Sequence, residues 1–346
     1  VNKFMKDIFK IVIKNYDVSN FKNKTVLITG ANGLIGGFLT DFFCHLNESY
    51  NYNITLVLTS LSDKPERLVH LLDYSYVNYI QKDLSIADWS NFNEKIDYCF
   101  YCAGYAQPGK FLSNPSKTFS LNTIGVNNTF ENIFKNNKTA KCLFISSSEV
   151  YVSNENKKPH HETDTINLIL NHKRNSYIMG KLSGEFYTNC FKKLGFDAKS
   201  ARVSLCYGPG HVFGDSRVMS DLVKKAMRND YIQLFDDGIS YRKYQNISDC
   251  CIMLFNILLN GKREVYNVGG KEETTIYDMA KMIGNKFNKE VKKGKINNDI
   301  SNSAPKKVSL SLNRYEEEFN KFDFMSFKDG IENYLNWYKE EYKNEI

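Results

Sequence analysis

Residues 25–36 read TVLITGANGLIG, an apolar run followed by three glycines that are three residues apart. The β-branched run at 25–29 predicts a strand, and the spacing of apolar residues over 34–46 predicts a helix. In a turn between a strand and a helix, glycines allow a sharp bend, close approach of a pyrophosphate to the backbone, and tight packing of the helix on the strand. The stretch therefore predicts a dinucleotide-binding turn with the binding residues Gly30, Asn32, Gly33, Leu34, Ile35 and Gly36.

Short strands and helices alternate after this turn. Strands are predicted at residues 54–59, 77–81, 98–102, 142–146 and 198–203, and helices at 117–134 and 177–194. This alternation is typical of a Rossmann-type α/β fold, a doubly wound parallel sheet with helices on both faces. Ligands of such sheets lie at the carboxyl ends of the strands, which places Asp83, Ala103 and Gly104 beside the glycine turn.

Changes in this pattern divide the chain. The predicted regions are an N-terminal helical extension at 1–21, an NAD-binding Rossmann domain at 22–205 to which 246–270 return, and a smaller mixed domain at 206–245 and 271–346. The alternation weakens after YGPG at 207–210, so the smaller domain is expected to cover the cleft and to bind the substrate. The segment 289–307, rich in Asn, Lys and Ser, is expected to be a surface loop or a short insertion.

The composition is that of a globular protein without a nucleic-acid or membrane partner. Of 346 residues, 42% are hydrophobic, and the net charge of +7 comes from lysines spread along the chain. A mildly positive surface would help to attract a phosphorylated or carboxylated small molecule. Lysines interrupt the N-terminal apolar residues, so no signal peptide is predicted, and the apolar run at 250–259 is too short to span a bilayer. Eight cysteines in such a chain indicate reduced thiols and a cytoplasmic location.

Two short motifs invite a metal or redox interpretation that their surroundings do not favour. Cys99 and Cys102 form a CxxC inside the apolar stretch YCFYCAG, which has no second cysteine pair at zinc spacing and therefore predicts a strand. His160, His161 and Glu162 lie in a polar segment where adjacent side chains diverge, which predicts a loop. No metal site is expected.

The strand around 142–146 runs into ISSSEVYV at 145–152, which contains three serines and Glu149. Burying hydroxyls and a carboxylate at a strand end costs desolvation unless a partner uses them. Since this end of the strand faces the predicted cleft, the serines and Glu149 are expected to point at a ligand. The alternative for Glu149 is an acid on the surface or at a helix cap.

Tyr177 and Lys181 form a YxxxK pattern in the helix predicted at 177–194. Residues four apart lie on one helix face, so the ammonium group lies near the phenol and can lower its pKa. A tyrosinate can take the proton of an alcohol that is being oxidised by hydride transfer to a nicotinamide. Because Ser147 ends a neighbouring strand and can hydrogen-bond the same alcohol, Ser147, Tyr177 and Lys181 are the predicted catalytic residues.

The end of the second predicted strand bears on the choice of cofactor. It reads LTSL at 58–61, without the acid that often binds the ribose of NAD, and Asp63 and Arg67 further on suit either NAD or NADP. NAD is favoured over NADP. Asp83 is predicted to accept a hydrogen bond from the adenine amino group, and the alternative is a helix N-cap for the residues from Ser85 onward.

Together these motifs resemble the extended short-chain dehydrogenase/reductase superfamily, in particular its enzymes that modify nucleotide sugars. The similarity covers roughly residues 22–280 and rests on GANGLIG, Asp83-Leu84, YCAG at 101–104, NTIG at 122–125, ISSSEVY, YxxxK and YGPG, which occur in the superfamily's order. The resemblance implies NAD as cofactor, a nucleotide-diphosphate sugar as substrate, and oxidation of the sugar's C4 hydroxyl. It also implies a cofactor site that includes Asp83, Leu84, Ala103, Gly104, Asn122, Tyr177 and Lys181.

Within the superfamily, the pair Ser148-Glu149 resembles that of UDP-glucuronate decarboxylases and of GDP-mannose 4,6-dehydratases. The 4,6-dehydratases that act on dTDP-glucose have Asp before the Glu, and simple 4-epimerases tend to lack the Glu. The resemblance implies that Glu149 is catalytic and acts on C5 or its substituent once C4 is a ketone. A decarboxylase or 4,6-dehydratase is therefore favoured over an epimerase. The alternative from another class is a catalytically idle nucleotide-binding homologue.

Three further features resemble the decarboxylases in particular. They are GDSRVMS at 214–220, RKYQNISD at 242–249, and Arg174 three residues before Tyr177. The resemblance implies that Ser148, Arg174, Arg217 and Arg242 bind the substrate. Arg217 and Arg242 are expected at the diphosphate, since a guanidinium binds phosphate bidentately.

The chain departs from these relatives at three places. Leu205 stands where they have Asn, Val152 stands where they usually have Gly, and the segment 153–171 has little similarity to them. The substrate pocket is therefore expected to have diverged.

Assembly is inferred from the superfamily alone. By analogy, long helices at 112–134 and 177–194 are expected to form the four-helix bundle of a homodimer. A dimer of dimers is the alternative.

Overall fold

A computed structural model describes residues 3–63, 65–86, 88–151, 159–166, 168, 171–294, 309–319 and 323–345. The strands in these ranges are β1 Thr25–Thr29, β2 Thr55–Ser60, β3 Val77–Gln81, β4 Tyr98–Tyr101, β5 Lys141–Ser147, β6 Asp197–Val203, β7 Leu205–Tyr207, β8 Tyr231–Gln233, β9 Tyr241–Asn246, β10 Val265–Val268, β11 Glu273–Thr275 and β12 Glu290–Lys292. The α-helices are α1 Lys3–Asn15, α2 Leu34–Tyr50, α3 Pro108–Ser113, α4 Pro115–Asn122, α5 Ile124–Asn136, α6 Asn175–Lys193, α7 Val218–Arg228, α8 Ile247–Asn260, α9 Ile276–Phe287, α10 Asn313–Glu318 and α11 Phe327–Glu341.

Seven strands form a parallel sheet in the order β10-β6-β5-β4-β1-β2-β3. Strands β1, β2, β4 and β5 are buried along nearly their whole length, as expected for a sheet that helices cover on both faces. From β1 the chain adds strands outward in one direction, and from β4 it adds them in the other. The crevice between β1 and β4 is thus the switch point where such folds bind ligands. The predicted Rossmann-type α/β fold is confirmed.

Two smaller sheets lie beside the large one. Strands β7, β9 and β11 form the first, in which β9 runs parallel to β7 and antiparallel to β11, and β8 pairs with β12 in the second. Helices α7, α9 and α11 share a core with these sheets that includes Leu222, Ile232, Ile283 and Tyr334. The predicted smaller mixed architecture is therefore present, while the division of the chain into domains stays a prediction.

Helix α1 forms most of the predicted N-terminal extension. Its buried residues Met5, Ile8, Phe9 and Val12 pack in the core of the large sheet. Phe4, on the same helix, packs against the core of the small sheets. Helix α1 therefore joins the two parts of the molecule through its apolar residues.

The single helix predicted at 117–134 is wrong, because this segment forms α4 and α5, which meet at Thr123 (φ −112°, ψ −80°). In a continuous helix the Leu121 carbonyl would accept from the amide four residues later. It accepts instead from the Tyr101 hydroxyl, at 2.6 Å. Pro115 begins α4 rather than continuing α3, since it has no amide hydrogen for an internal helix bond. The long helix expected for dimer contacts is therefore three short ones.

The two motifs that invited a metal interpretation are both part of the packed protein structure. Cys99 lies in β4 as predicted, in register with Cys142 of β5, and both thiols are free. The segment around His160 is irregular but buried, and Glu162 accepts from the amide of Asn267 at 2.8 Å. The described ranges contain no group of three or more His, Cys, Asp and Glu side chains arranged to hold a metal ion.

Some predictions concern residues that the structure does not describe. Val152, residues 153–158, 167, 169 and 170 of the divergent segment, and residues 295–307 of the predicted insertion lie outside the described residues. In the part that is described, no helix combines the length and the apolar character needed to cross a membrane.

Candidate active site

The glycine turn between β1 and α2 has a backbone that only small residues fit. Gly30 has a φ of +63°, and a Cβ there would lie 2.8 Å from backbone atoms of Ala103. A Cβ at Gly36 would lie 2.5 Å from the Gly30 carbonyl oxygen. The side-chain oxygen of Asn32 is buried and has no hydrogen-bond partner among the described residues. The turn thus offers open backbone and a spare acceptor beside the amino end of α2, which fits a dinucleotide.

Replacing Gly36 with alanine is expected to abolish dinucleotide binding and to lower the free energy of unfolding. The new methyl group would overlap the Gly30 carbonyl and lie 3.1 Å from the Cα of Ala31, so the turn itself would have to move. Overpacking of this kind costs about 1–3 kcal/mol. Titration calorimetry with NAD and chemical denaturation measure the two effects. Gly109→Ala is the control, because nothing lies within 4 Å of its Cβ position. Normal NAD binding by Gly36→Ala would contradict this view of the turn.

Arg67, a candidate for cofactor discrimination, is held by the protein itself. Its guanidinium donates to the carbonyls of Gly33 (3.0 Å), Leu34 (3.3 Å) and Gly210 (2.8 Å). It also pairs with Asp41 at 3.2 Å. These contacts fasten the loop after β2 and the loop after β7 to the first turn of α2. The Arg67 guanidinium therefore already has four acceptors within the protein.

Asp83 lies just after β3 and has two local partners. One carboxylate oxygen accepts from the amide (3.0 Å) and hydroxyl (2.6 Å) of Ser85, and the other pairs with Lys117 at 2.6 Å. Burial alone would raise the pKa of Asp83, but the hydrogen bonds from Lys117 and Ser85 outweigh it and lower that pKa. The capping alternative therefore matches the geometry, and the adenine contact of Asp83 stays a prediction. Its neighbour Leu84 is buried.

The fold brings the three predicted catalytic residues together, because Ser147 ends β5 and the other two lie near the start of α6. The Ser147 hydroxyl lies close enough to the Tyr177 phenol to lower its pKa. The Lys181 ammonium donates to the carbonyl of Ile145 at 2.8 Å and lies 5.7 Å from the centre of the Tyr177 ring. All three side chains are buried. The group therefore lies at the carboxyl end of the sheet, as the sequence predicts.

Two predicted cofactor residues lie next to this group. Lys181 Nζ and Asn122 Oδ1 are 3.4 Å and 3.6 Å from the position that a Cβ on Gly104 would occupy. Asn122 donates to the Thr118 carbonyl at 2.8 Å, while its Oδ1 is buried and has no partner in the described part of the chain. A buried acceptor of this kind normally binds water or a ligand. These residues thus bound a polar space that a cofactor amide or hydroxyl fits.

Burial dominates the electrostatics of this pair. Desolvation raises the pKa of Tyr177 to about 12, although the Ser147 hydrogen bond and nearby guanidinium groups lower it. Desolvation also lowers the pKa of Lys181 to about 8. In the protein alone the pKa of the phenol is thus raised, because the loss of hydration outweighs the nearby positive charges. The lowering of this pKa by the Lys181 ammonium stays a prediction.

Replacing Lys181 with methionine is expected to raise the melting temperature of the cofactor-free protein at pH 7 while removing activity. Folding lowers the pKa of this ammonium from 10.5 to about 8, which costs on the order of 3 kcal/mol at pH 7. In the parent this destabilisation disappears as the pH rises from about 8 to 10.5, because Lys181 releases its proton at a lower pH in the folded state than in the unfolded chain. The gap between variant and parent should therefore narrow as melts are measured at rising pH. Lys193→Met on the same helix is the control, and a widening gap would contradict the assignment.

Glu149 is neither a surface acid nor a helix cap, because it forms a bidentate ion pair with Arg174. The two N–O distances are 2.8 Å and 2.7 Å, and the side chains are 26% and 12% exposed. Glu149 lies in the short 3-10 turn after β5, and Arg174 immediately precedes α6. The elements that carry Ser147 and Tyr177 thus also carry this pair. Arg174 offers a guanidinium that already binds one carboxylate in the strongest geometry.

Arg217, a predicted diphosphate ligand, is paired with Asp215. Its Nη2 and Nε lie 2.6 Å and 3.0 Å from that carboxylate, and Gln107 donates to the same group at 2.9 Å. The charge of Arg217 lowers the pKa of the Tyr177 phenol. The hydrogen bond of Gln107 joins the loop after β4 to the loop before α7 across that cleft.

The other predicted substrate ligands, Arg242 and Ser148, lie on the same side of the sheet. Arg242 is on β9, donates to the carbonyl of Tyr241 at 2.8 Å, and interacts electrostatically with Glu149. Burial lowers the pKa of Arg242. Ser148 is buried next to Glu149 in the 3-10 turn. The structure therefore places Ser148 and Arg174 beside or against Glu149, while binding of substrate by all four residues stays a prediction.

A buried ion pair between Glu185 and Arg202, which was not predicted from the sequence, holds the end of β5 in place. Ser146 is in register with Arg202 of β6 and donates to Glu185, which forms a bidentate pair with Arg202. Arg202 also donates to the hydroxyl of Tyr151 at 2.5 Å. These bonds fix the end of β5 between α6 and β6. The one available signal was the position of Glu185, four residues after Lys181 on the same helix face.

The parallel sheet, the glycine turn and the polar groups at the switch point define a Rossmann-type dinucleotide-binding protein. The model of the NAD dependent epimerase/dehydratase family matches residues 26–269. The chain belongs to this family, which confirms the resemblance drawn from its motifs.

Curated relatives are distant and differ in activity. UDP-glucuronic acid decarboxylase 1 of Danio rerio is 26% identical over 269 residues, which are 77% of this chain and 61% of that protein. The chain therefore spans less than two thirds of that relative. UDP-glucuronic acid decarboxylase 1 of Arabidopsis thaliana is 24% identical over 94% of this chain and 72% of that protein. A dTDP-4-dehydro-6-deoxy-D-allose reductase from a Streptomyces species is 25% identical over 91% of this chain and 96% of that protein.

Solved structures share the fold over almost the whole chain. An epimerase from Methanothermobacter thermautotrophicus has a TM-score of 0.80 at 21% identity and covers 99% of this chain and 97% of its own. The UDP-glucuronic acid 4-epimerase from Bacillus cereus, in complex with UDP-glucuronic acid and NAD, has a TM-score of 0.75 at 22% identity and covers 92% of this chain and 100% of its own. These likenesses show the fold and leave the reaction open.

Proposed function

We propose that this chain is an NAD-dependent enzyme that oxidises the C4 hydroxyl of a nucleotide-diphosphate sugar and then decarboxylates or dehydrates the product. The observation that supports this most strongly is the placement of the Ser147 side chain beside the buried Tyr177 phenol, with Lys181 next to them at the switch point. Membership of the NAD-dependent family supports a nicotinamide cofactor. The Glu149–Arg174 pair beside the phenol supports a second step after oxidation.

In the oxidation step, Ser147 holds the C4 oxygen and Tyr177 accepts the hydroxyl proton as the C4 hydride departs. When bound, oxidised nicotinamide supplies the hydride acceptor and a positive charge. The phenol pKa of about 12 in the protein alone means that Tyr177 is protonated at neutral pH. Added positive charge, together with the Lys181 ammonium, lowers that pKa toward the working range of a base. Proton and hydride thus leave the alcohol for different acceptors, and C4 becomes a ketone.

In the decarboxylase version, Arg174 binds the C6 carboxylate of the oxidised sugar. With a ketone at C4 the sugar is a β-keto acid, so the C5–C6 bond breaks, CO2 leaves, and the electron pair stays on C5 as an enolate. Arg174 already holds the carboxylate of Glu149 through two donors, and a sugar carboxylate fits the same donors. This exchange frees Glu149, which would take up a proton from water and deliver it to C5. The C4 ketone would then take back the hydride from the reduced nicotinamide, and its oxygen the proton from Tyr177, so the product differs from the substrate by CO2 alone.

In the dehydratase version, Glu149 removes the C5 proton and the C6 hydroxyl leaves as water. Departure of that hydroxyl needs an acid to protonate it. Ser148 stands where the dTDP-glucose dehydratases have Asp, and a serine hydroxyl is a poor acid. Decarboxylation needs no acid at the leaving group, so we favour UDP-glucuronate decarboxylation over dehydration.

Two other functions are ranked lower. A C4 or C2 epimerase needs no glutamate, and the Glu149–Arg174 pair would then have no role in the chemistry. A catalytically idle nucleotide-binding homologue would have no use for a buried lysine, since burial of the Lys181 ammonium costs stability. The intact Ser147, Tyr177 and Lys181 therefore favour an enzyme.

We infer that the cofactor is NAD rather than NADP. The Arg67 guanidinium is held by three carbonyls and Asp41, so a 2′-phosphate would have to compete for it. We assign the diphosphate of the sugar nucleotide to Arg217 and Arg242. Arg217 would share its donors between the phosphate and Asp215, which keeps the side chain oriented in the absence of substrate.

We further propose a homodimer that uses the surface of α4, α5 and α6. These helices expose Phe119 (40%), Ile124 (46%) and Phe186 (68%), large apolar side chains that a partner surface would cover. The superfamily's four-helix arrangement would then be built from α6 and the shorter α4 and α5. A dimer of dimers is the alternative assembly.

The proposal is tested by the mass of the product after incubation with NAD and a panel of UDP-, dTDP-, GDP- and CDP-sugars that includes UDP-glucuronate. We expect a product lighter than UDP-glucuronate by the mass of CO2. A product lighter by one water would establish the dehydratase instead. A new sugar of unchanged mass would establish an epimerase, and no product with any sugar would contradict the proposed enzyme.

A further inference from the structure

Helix α3 places Phe111 against the proposed base. The rings of Phe111 and Tyr177 are stacked, with their centroids 4.8 Å apart and their planes 14° apart. This distance is typical of an offset stack, which is favourable for two aromatic rings. Phe111 is 1% exposed, so it is fixed in this position by its surroundings.

The same ring also lies against Arg174. The central carbon of the Arg174 guanidinium is 5.1 Å from the centre of the Phe111 ring, within the range of a cation–π contact. Arg174 is at the same time the bidentate partner of Glu149. One aromatic side chain therefore contacts both the proposed base and the proposed carboxylate ligand.

The stack covers the face of the phenol and leaves its edge accessible. The Tyr177 hydroxyl lies at that edge, beside the Ser147 side chain that lowers its pKa. Phe111 therefore leaves the route for proton transfer open. It occupies space that water would otherwise fill beside the ring.

We propose that Phe111 is a positioning residue, which fixes the plane of the Tyr177 ring, keeps water from its face, and holds the Arg174 guanidinium where a substrate carboxylate binds. The contribution of Phe111 to catalysis rests on the proposed function, but its effect on the position and surroundings of Tyr177 does not. Sequence reasoning gave Phe111 no role, because a phenylalanine in a short helix after β4 has the pattern of an ordinary core residue.

The groups around the phenol come from three places in the chain. Ser147 and Glu149 lie at the end of β5, Arg174 and Lys181 lie at the start of α6, and Arg217 lies before α7. Shortening the side chain at position 111 removes none of these five groups. Because burial has the largest influence on this phenol, water admitted by the loss of the ring should make it more acidic.

The test is a fluorine NMR titration of 3-fluorotyrosine placed at position 177, without sugar or turnover. In Phe111→Ala we expect the titration midpoint to fall by at least about one pH unit relative to the parent. The fluorine resonance should also shift, because the ring current of the stacked neighbour is lost. Phe111→Leu keeps most of the apolar volume, so it should recover most of the midpoint but not the resonance position.

Leu112→Ala is the matched control, since Leu112 is the next residue of α3 and is 44% exposed. It should change neither the midpoint nor the resonance. An unchanged midpoint in folded Phe111→Ala would overturn the proposal, and so would an equal fall in Leu112→Ala. If Phe111→Ala does not fold, Phe111→Leu decides, because an unchanged resonance there would exclude the stack. Since no substrate is present, a failure of C4 oxidation would count against the proposed function alone.

Discussion

Tyr177→Phe is expected to lower kcat for sugar oxidation by about 10²–10⁴-fold, the usual contribution of a general base. The substitution removes the oxygen that lies beside Ser147 and is proposed to take the C4 proton, but it keeps the ring that stacks on Phe111. Cofactor and sugar binding should therefore change little, so the loss falls on kcat rather than on KM. Rapid mixing with detection of reduced nicotinamide by absorbance measures it.

Tyr187→Phe is the matched control for this variant. Tyr187 lies ten residues further along the same helix and packs against the apolar core that includes Phe144 and Phe191. Loss of the Tyr187 hydroxyl should leave kcat at the parent value. Sugar oxidation at the parent rate by Tyr177→Phe would show that another group takes the proton.

Glu149→Gln is expected to separate the two steps of the proposed reaction. The amide cannot transfer the C5 proton, so the rate of final product formation should fall by at least about 10²-fold, while oxidation at C4 continues. The 4-ketosugar and reduced nicotinamide should therefore accumulate. Chemical quenching at short times, followed by mass spectrometry of the sugar nucleotides, detects the intermediate directly.

The variant also loses the ion pair with Arg174, so a control for charge is needed. Glu131→Gln removes an exposed carboxylate from α5 and should change neither step. An equal loss of oxidation and of product formation in Glu149→Gln would mean that the carboxylate only orders the site. Unchanged product formation would remove Glu149 from the chemistry and favour an epimerase.

Six of the seven strands of the large sheet could be predicted from the sequence, because most of them are buried on both faces, whereas the edge strand β10 was not predicted. Such strands read as short apolar runs between loops, and the strand boundaries differ from the predicted ones by only a residue or so. The glycine turn and the YxxxK pair were equally accessible, since both depend on spacing within one or two adjacent elements. Structure that depends only on residues close together in the chain can therefore be predicted from the sequence.

The remaining features depend on contacts between distant segments. The break at Thr123 arises because the Tyr101 hydroxyl takes the carbonyl of Leu121, which no pattern within the helix reveals. The partner of Glu149 comes from 25 residues away in the chain. The raised phenol pKa follows from burial by the whole fold and is opposite to what the neighbouring lysine alone predicts.

A single-turnover experiment with UDP-glucuronate deuterated at C4 of the sugar tests C4 oxidation most directly. We predict that the parent protein moves the deuterium to NAD and forms deuterated reduced cofactor, more slowly than with the undeuterated sugar. Tyr177→Phe should show almost no transfer on the same timescale. A product that forms while its deuterium never leaves C4 would contradict the proposed chemistry, whatever its mass.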